Sequence, residues 1–148
     1  MLFLLACAGS ADDSGSPPTP VDYFSGGFHA PGRHTEILED VARNRTLPME
    51  VWYPTIRATG SHAITEFVDP TEQATYQALL DAAPVGCPTR FTVATPDATP
   101  DPGPLPLIGL SHCHGCTRFS MVSVAEHLAS FGFVVVAPDH VGNTLFDE

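Results

Sequence analysis

The stretch "GLSHCHGCTRF", residues 109–119, places one serine, two histidines, two cysteines and a glycine within six consecutive positions. Three chemistries suit those residue types. Ser111 follows Gly109 in a near G-x-S-x-G pattern, the strand-to-helix turn that exposes a nucleophilic hydroxyl. That turn needs a small residue two positions after the serine, and Cys113 stands there instead. The spacing therefore fits a serine that ends a strand and bonds its own loop better than a nucleophile. Cys113 and Cys116 form a C-x-x-C pair, which can cycle between dithiol and disulfide where a helix N-terminus stabilises a thiolate. His112, His114 and the more distant His140 could add metal-binding nitrogens. Tetrahedral zinc draws ligand pairs from separate segments, however, and one cluster is a weak zinc signal. The third chemistry belongs to the backbone. N–H groups at the entry to a helix are oriented and partly positive, so they can steady a developing oxyanion.

The neighbouring elements decide where this stretch must lie. Residues 105–110 form a short apolar run. Residues 119–131 have helical periodicity: Met121, Val122, Ala125, Leu128 and Ala129 share one face, and Ser120, Ser123, Glu126, His127 and Ser130 the other. Gly132 is placed for a left-handed C-cap. "FVVVAPDH", residues 133–140, begins as a continuous β-branched run, as in a strand buried on both faces. Strand, loop, helix, glycine and strand make a βαβ unit with parallel strands. Ligands in open parallel sheets sit beyond the C-terminal strand ends. Residues 111–116 and 139–144 are two such ends, and should face one crevice. Asp139 and His140 are adjacent, so their side chains point to opposite faces of a strand. They read as loop anchors lining the crevice rather than a catalytic dyad.

Upstream, Ile37, Val41, Met49, Val51 and Tyr53 suggest a β-hairpin across residues 35–54, with Arg43-Asn44-Arg45 as its turn. Pro48 points the second strand toward a sheet edge, and Pro54 ends it. Residues 71–83 are a short helix, with Pro70 before it, Thr71 as cap, and Tyr76, Leu79, Leu80 and Ala83 as its apolar face. Residues 84–106 hold repeated prolines, which remove donors and fix φ, so a long intradomain loop is expected, with extended structure at most near residues 90–94. His29, His34 and His62 fall in loop-like stretches and read as solvated.

The chain has 148 residues, a formal net charge of -11 and 43% hydrophobic residues; its six basic residues are all arginine. This length and apolar content suit one domain with a real core. The acidic balance excludes a phosphate-backbone partner, so no nucleic acid is expected. No apolar run reaches the ~20 residues of a membrane helix. The first residues, "MLFLLACAGSADDSGSPPTP", turn abruptly from apolar to small and polar. Leu4-Leu5-Ala6-Cys7 resembles a bacterial lipobox, with residues 1–20 as signal remnant and tether and residues 21–148 as the folded domain. On that reading Cys7 carries lipid, and the protein is exported and held at the cell envelope, or secreted. Cys87, Cys113 and Cys116 then remain, an odd number in an oxidising compartment.

Two islands carry a family resemblance: "LPMEVWYP", residues 47–54, and "PLPLIGLSHCHGCTRFSMVSVAEHLASFGFVVVAPDHVGNT", residues 104–144. Together they resemble the N-terminal half of bacterial α/β-hydrolases of the dienelactone-hydrolase type, and the related platelet-activating-factor acetylhydrolase-like and polyester-hydrolase esterases. Residues 57–104 are nearly unmatched. The resemblance implies an α/β fold in partial form, an N-terminal antiparallel hairpin plus a parallel βαβ unit. It implies a carboxylic-ester hydrolase acting on a small-molecule ester by Ser-His-Asp acyl transfer, with no cofactor and no metal. Ser111 and His112 match the family's Ser-His. His114 matches the residue whose backbone N–H is an oxyanion donor, and Gly115 a loop glycine. Cys113 stands where the family has glycine, and Cys116 at a second small position. The family's nucleophile, on a G-x-S-x-G turn, follows the D-H-x-G-N-T stretch. No such turn occurs in these 148 residues, so the chain is expected to be an incomplete hydrolase, inactive alone, whose C-terminal half is a further partner. The alternative is an exported thiol–disulfide oxidoreductase using Cys113 and Cys116.

Overall fold

A computed structural model describes residues 25–57, 60–66, 68–82 and 91–147. Cys7, with the rest of the tether, and Cys87 lie outside the described residues. β1 (Ala30–Asp40) and β2 (Arg45–Thr55) form an antiparallel hairpin paired from Ala30–Thr55 to Asp40–Arg45. A single 3₁₀ turn, Val41–Arg43, joins them and ends at Asn44, whose φ is 48°. Asparagine tolerates that left-handed backbone better than most residues. The Asp40 carboxylate accepts from the Arg45 guanidinium at 2.9 Å and from the Arg43 N–H at 3.3 Å, and these bonds hold it below the ordinary carboxylate range. The turn thus falls at residues 41–44, and Arg45 already belongs to β2.

The remaining elements are β3 (His62–Ala63), a 3₁₀ turn (Ile64–Glu66), α1 (Pro70–Ala82), β4 (Phe91–Thr92), β5 (Thr95–Pro96), β6 (Leu107–Gly109), α2 (Val122–Ser130) and β7 (Val134–Pro138). The main sheet has the order β5-β1-β2-β7-β6, and β3 pairs with β4 in a separate ribbon. β6 and β7 are parallel, from Leu107–Val134 to Gly109–Val136, with α2 in the connection. This is the expected βαβ unit, and β7 joins it antiparallel to β2. The hairpin's second strand is consequently central and not at an edge. Pro48 is tolerated because it lies one residue beyond the β2–β7 ladder, which ends at Met49–Pro138. Its carbonyl, on that side, accepts the Asp139 N–H at 2.8 Å. β2 also runs one residue past Pro54.

Alternation sorts the core. Trp52 of β2 and Val135 and Ala137 of β7 are buried with Val122, Ala125 and Ala129 of α2. Phe119 joins them, its ring 6.4 Å from that of Tyr76 on α1 and edge-on to it. Removing this apolar surface from water supplies most of the drive to fold, at roughly 25 cal/mol per Å². Val134, Val136 and Pro138 point to the opposite face and are only half-buried, so β7 is not enclosed on both sides as expected. Glu50 shares the Trp52 face and is fully buried, bonded by the Arg33 guanidinium and, at 2.8 Å, by the Thr35 hydroxyl. Burial pushes its carboxyl upward, against the opposing pull of Arg33.

Both helices correct details of the sequence reading. α1 begins at Pro70 and is capped by Asp69, not Thr71. The Asp69 carboxylate accepts the Thr71 hydroxyl at 2.6 Å and its N–H at 2.8 Å. Of the proposed apolar face, Tyr76 is buried and Leu79 is 48% exposed; the Leu80 side chain and Ala83 lie outside the described residues. α2 starts three residues later than expected, because the Thr117 N–H bonds the Ser120 hydroxyl at 2.9 Å and the chain turns first. Its end matches the expectation. Gly132 has φ 95°, its N–H donates to Ala129, and the Phe133 N–H donates to Leu128, two bonds that satisfy the last carbonyls of the helix.

Glu126 and Ser130, assigned to the polar face of α2, are both buried. One Glu126 oxygen accepts the Thr92 hydroxyl and the N–H groups of Val93 and Ala94, the last two at 2.8 and 3.0 Å. A buried carboxylate needs such donors, and here they come from a segment more than thirty residues away. His34 and His62 lie in strands. His29, His34 and His62 each meet a carboxylate: Asp101 at 2.6 Å, Asp97 at 2.5 Å and Glu66 at 3.6 Å. The first pair fastens the proline-rich loop to the residue before β1 and the second fastens it to β1 itself, and the Asp97 bond holds His34 above its ordinary value.

The Glu126 cluster yields a first test. Glu126→Ala removes the acceptor of the buried Thr92 hydroxyl and of the Val93 N–H, and one of the two acceptors of the Ala94 N–H, and is expected to cost about 1–3 kcal/mol in denaturant unfolding. Glu126→Gln keeps an acceptor oxygen and should retain much of that stability. Equal stability of the alanine variant and the native chain would refute the anchoring role.

Candidate active site

Parallel pairing of β6 and β7 sets their C-terminal ends side by side. Residues 111–116 leave β6, residues 139–144 leave β7, and side chains and backbone bind the two loops into one unit. His112 is the main clip. It is 8% exposed. Its Nδ1–H donates to the Cys113 carbonyl at 2.7 Å, and its Nε2 accepts the His140 N–H at 2.9 Å. Both ring nitrogens are therefore committed, and the acceptor role of Nε2 places the ring proton on Nδ1. The Ser111 hydroxyl is hydrogen-bonded to His140 Nε2 at 3.1 Å, and the two imidazoles lie 4.2 Å apart between centroids. His114 Nδ1–H donates to the Asn143 side-chain carbonyl. Cys116 pairs with Thr144 as an isolated parallel bridge, and its carbonyl accepts the Leu145 N–H at 3.2 Å.

Beneath these loops sits a buried ion-pair network. Asp139 is 3% exposed. It accepts the Arg118 N–H at 2.6 Å and also the Arg118 guanidinium. The same guanidinium reaches Glu72 of α1 at 3.1 Å and lies over the Phe119 ring, 4.7 Å from its centroid. Burial disfavours the charge on Arg118, but Asp139 and Glu72 outweigh it and hold the group above its usual value. His112 Nε2 is 3.9 Å from Asp139. Asp139 and His140 are thus loop anchors, as the sequence reading had them. Arg118 was missed there, since a lone arginine near a helix start carries no signal of burial.

Cys113 and Cys116 are joined in a disulfide. Between them the chain makes a tight turn in which the Cys116 N–H donates to the Cys113 carbonyl at 3.2 Å. Gly115 has φ 64°, a backbone that most side chains resist. The turn projects His114, and among the described residues no carbonyl takes the His114 N–H. No group of three or more metal-ligating side chains occurs among the described residues. Ser111, His112, Cys113, His114 and Gly115 are therefore gathered at one loop, with a nearby N–H still able to donate.

Comparison with protein-family models finds no match, and comparison with curated proteins finds none either. Among solved structures, the chain is similar to a ferulic acid esterase from Streptomyces cinnamoneus, with 29% identity and a TM-score of 0.57. The likeness covers 87% of this chain and 36% of that one, so the chain spans little more than a third of the esterase's length. The fold is α/β, and the hairpin with its parallel βαβ unit is the partial α/β-hydrolase arrangement that the sequence implied.

The two-loop lock has a direct test. His112→Phe keeps a flat ring but leaves the His140 N–H without its acceptor. It is expected to cost about 1–3 kcal/mol of stability. In amide NMR spectra, it should shift residues in both loops while leaving the β1–β2 hairpin unmoved. Unchanged spectra in residues 139–144 would show that His112 does not couple the loops.

Proposed function

We propose that this chain carries the oxyanion-binding part of a carboxylic-ester hydrolase, with the His114 backbone N–H as donor. The observation that supports this most is the tight turn at residues 113–116, which projects an amide with no carbonyl partner among the described residues beyond a parallel strand end. Such an amide is preorganised, and stabilises charge on a tetrahedral oxygen without reorganising during the reaction. Likeness to a ferulic acid esterase supports ester chemistry. The resemblance to dienelactone-hydrolase-type and acetylhydrolase-like esterases adds the finer reading. The serine, acid and histidine of the triad then come from polypeptide outside these 148 residues, which is the partner this reading requires.

A shallow, open and largely apolar surface formed by the exposed Ala74, Thr75, Ala78 and Leu79 of α1 with the half-buried Leu145 is compatible with an ester carrying an apolar acyl or aryl group. The Leu145 N–H donates to the Cys116 carbonyl, so one edge of this surface is hydrogen-bonded to the loop.

The test is to express the chain joined to the segment encoded after codon 148 and assay p-nitrophenyl acetate and ethyl ferulate. Hydrolysis is expected, with His114→Pro, which removes the N–H donor, lowering kcat by about 10²–10³-fold, and with His114→Ala, which loses the same imidazole bond to Asn143 but keeps the N–H, losing far less. The 148-residue chain by itself should not exceed its Ser111→Ala variant. Ser111-dependent turnover by that chain, or full activity in His114→Pro, would overturn the assignment.

A further inference from the structure

The disulfide does not sit beside the proposed donor; it encloses it. Cys113 and Cys116 close a ring of four residues with His114 and Gly115 between them. Inside that ring the backbone has one internal hydrogen bond, from Cys116 to Cys113, and Gly115 stands in a left-handed conformation. The two ends of the ring are held unequally. Cys116 is half-buried and fixed to the second loop by the Thr144 bridge and the Leu145 N–H. Cys113 is exposed, and apart from the sulfur bond it is fixed through its carbonyl, which takes the His112 ring and the Cys116 N–H. A thiolate from solvent can therefore approach the Cys113 sulfur, while Cys116 is the shielded partner. Thiol–disulfide exchange requires that kind of access to one sulfur.

We propose that the Cys113–Cys116 disulfide is a reaction site for a dithiol reductant, and that its redox state controls how firmly the His114 amide is presented. This rests on the oxyanion reading of that amide. In the exchange, one thiolate of the dithiol attacks the Cys113 sulfur, and the Cys113–Cys116 bond breaks with Cys116 leaving as thiolate. The second thiol of the reductant then attacks the mixed disulfide and releases Cys113. Two electrons pass from the dithiol, which becomes a disulfide, and two protons end on Cys113 and Cys116. In the dithiol form the turn keeps the Cys116–Cys113 backbone bond and the His114–Asn143 side-chain bond, but it loses the covalent closure across a glycine with wide conformational freedom. With its side chain still tethered, the His114 backbone N–H then samples a wider range of directions, and a donor without a fixed direction stabilises an oxyanion poorly. This is a control role, separate from the oxidoreductase alternative, because the pair changes its own loop rather than a client's cysteines.

The experiment uses the ¹⁵N-labelled full chain, titrated with dithiothreitol while folded. Mass spectrometry of the peptide holding residues 113 and 116 follows reduction. The expected result is a gain of two thiols in that peptide, with backbone order parameters at His114 and Gly115 falling from near 0.85 to below about 0.6. Val135 and Ala137 should not change. The variant carrying Cys113→Ser and Cys116→Ser should show the loosened turn without reductant. A disulfide that resists dithiothreitol until the chain unfolds, or a turn equally ordered in both states, would overturn the proposal. Catalytic reduction of insulin by the dithiol form would favour the oxidoreductase alternative and also count against it. No ester enters the measurement, so it can succeed where the hydrolase assay fails, and the two failures are distinguishable.

Discussion

The Asp139 carboxylate accepts both the backbone N–H and the guanidinium of Arg118 at the point where β7 ends. A carboxylate this deeply buried is tolerable only with charged or well-aimed donors. Arg118 supplies both kinds and carries the link onward to Glu72 on α1. One ion-pair network thus fixes the end of β7, the entry to α2 and the side of α1 with respect to one another. Removing one partner from such a pair leaves an uncompensated buried charge, at a typical cost of about 3–5 kcal/mol. The loops above inherit their positions from it.

With that base fixed, the upper layer needs only modest forces. His112 bridges the loops through one donor and one acceptor nitrogen. Ser111 meets His140, and His114 meets Asn143. Each of these is an ordinary bond with a net value of about 1 kcal/mol. Their joint effect is to leave the turn at residues 113–116 little choice of path. The His114 side chain is held by the second loop, which leaves its backbone N–H as the group that projects. The sequence resemblance implies a glycine at position 113, so a cysteine there is expected to distort this turn. Instead it is bonded to Cys116, and Gly115 carries the left-handed conformation.

Periodicity was enough to place the βαβ unit, the hairpin and the Gly132 cap, because local pattern determines those features. The two crevice loops were legible for a topological reason: parallel strands must end on the same side. What stayed hidden was long-range. A helical wheel puts Glu126 on a polar face, and nothing nearby tells that Thr92, Val93 and Ala94 will supply its donors. Pro48 reads as an edge residue, until the register shows that its missing N–H would lie past the end of the β7 ladder. Asp69 outcompetes Thr71 as cap since its carboxylate can take both the N–H and the hydroxyl of that threonine. Arg118 is invisible as a core residue, because its burial depends on two acidic partners, 21 and 46 positions away.

Amide hydrogen exchange at His114, read against Leu110 in the same sample, tests the central claim most directly. Leu110 sits at the end of β6 and its N–H donates to the Val136 carbonyl at 2.8 Å, so it should be strongly protected. The His114 amide is expected to exchange close to the rate of an unprotected peptide, as an available donor must. Protection of His114 equal to that of Leu110 would mean that its N–H is already consumed within the fold, and would contradict the assignment.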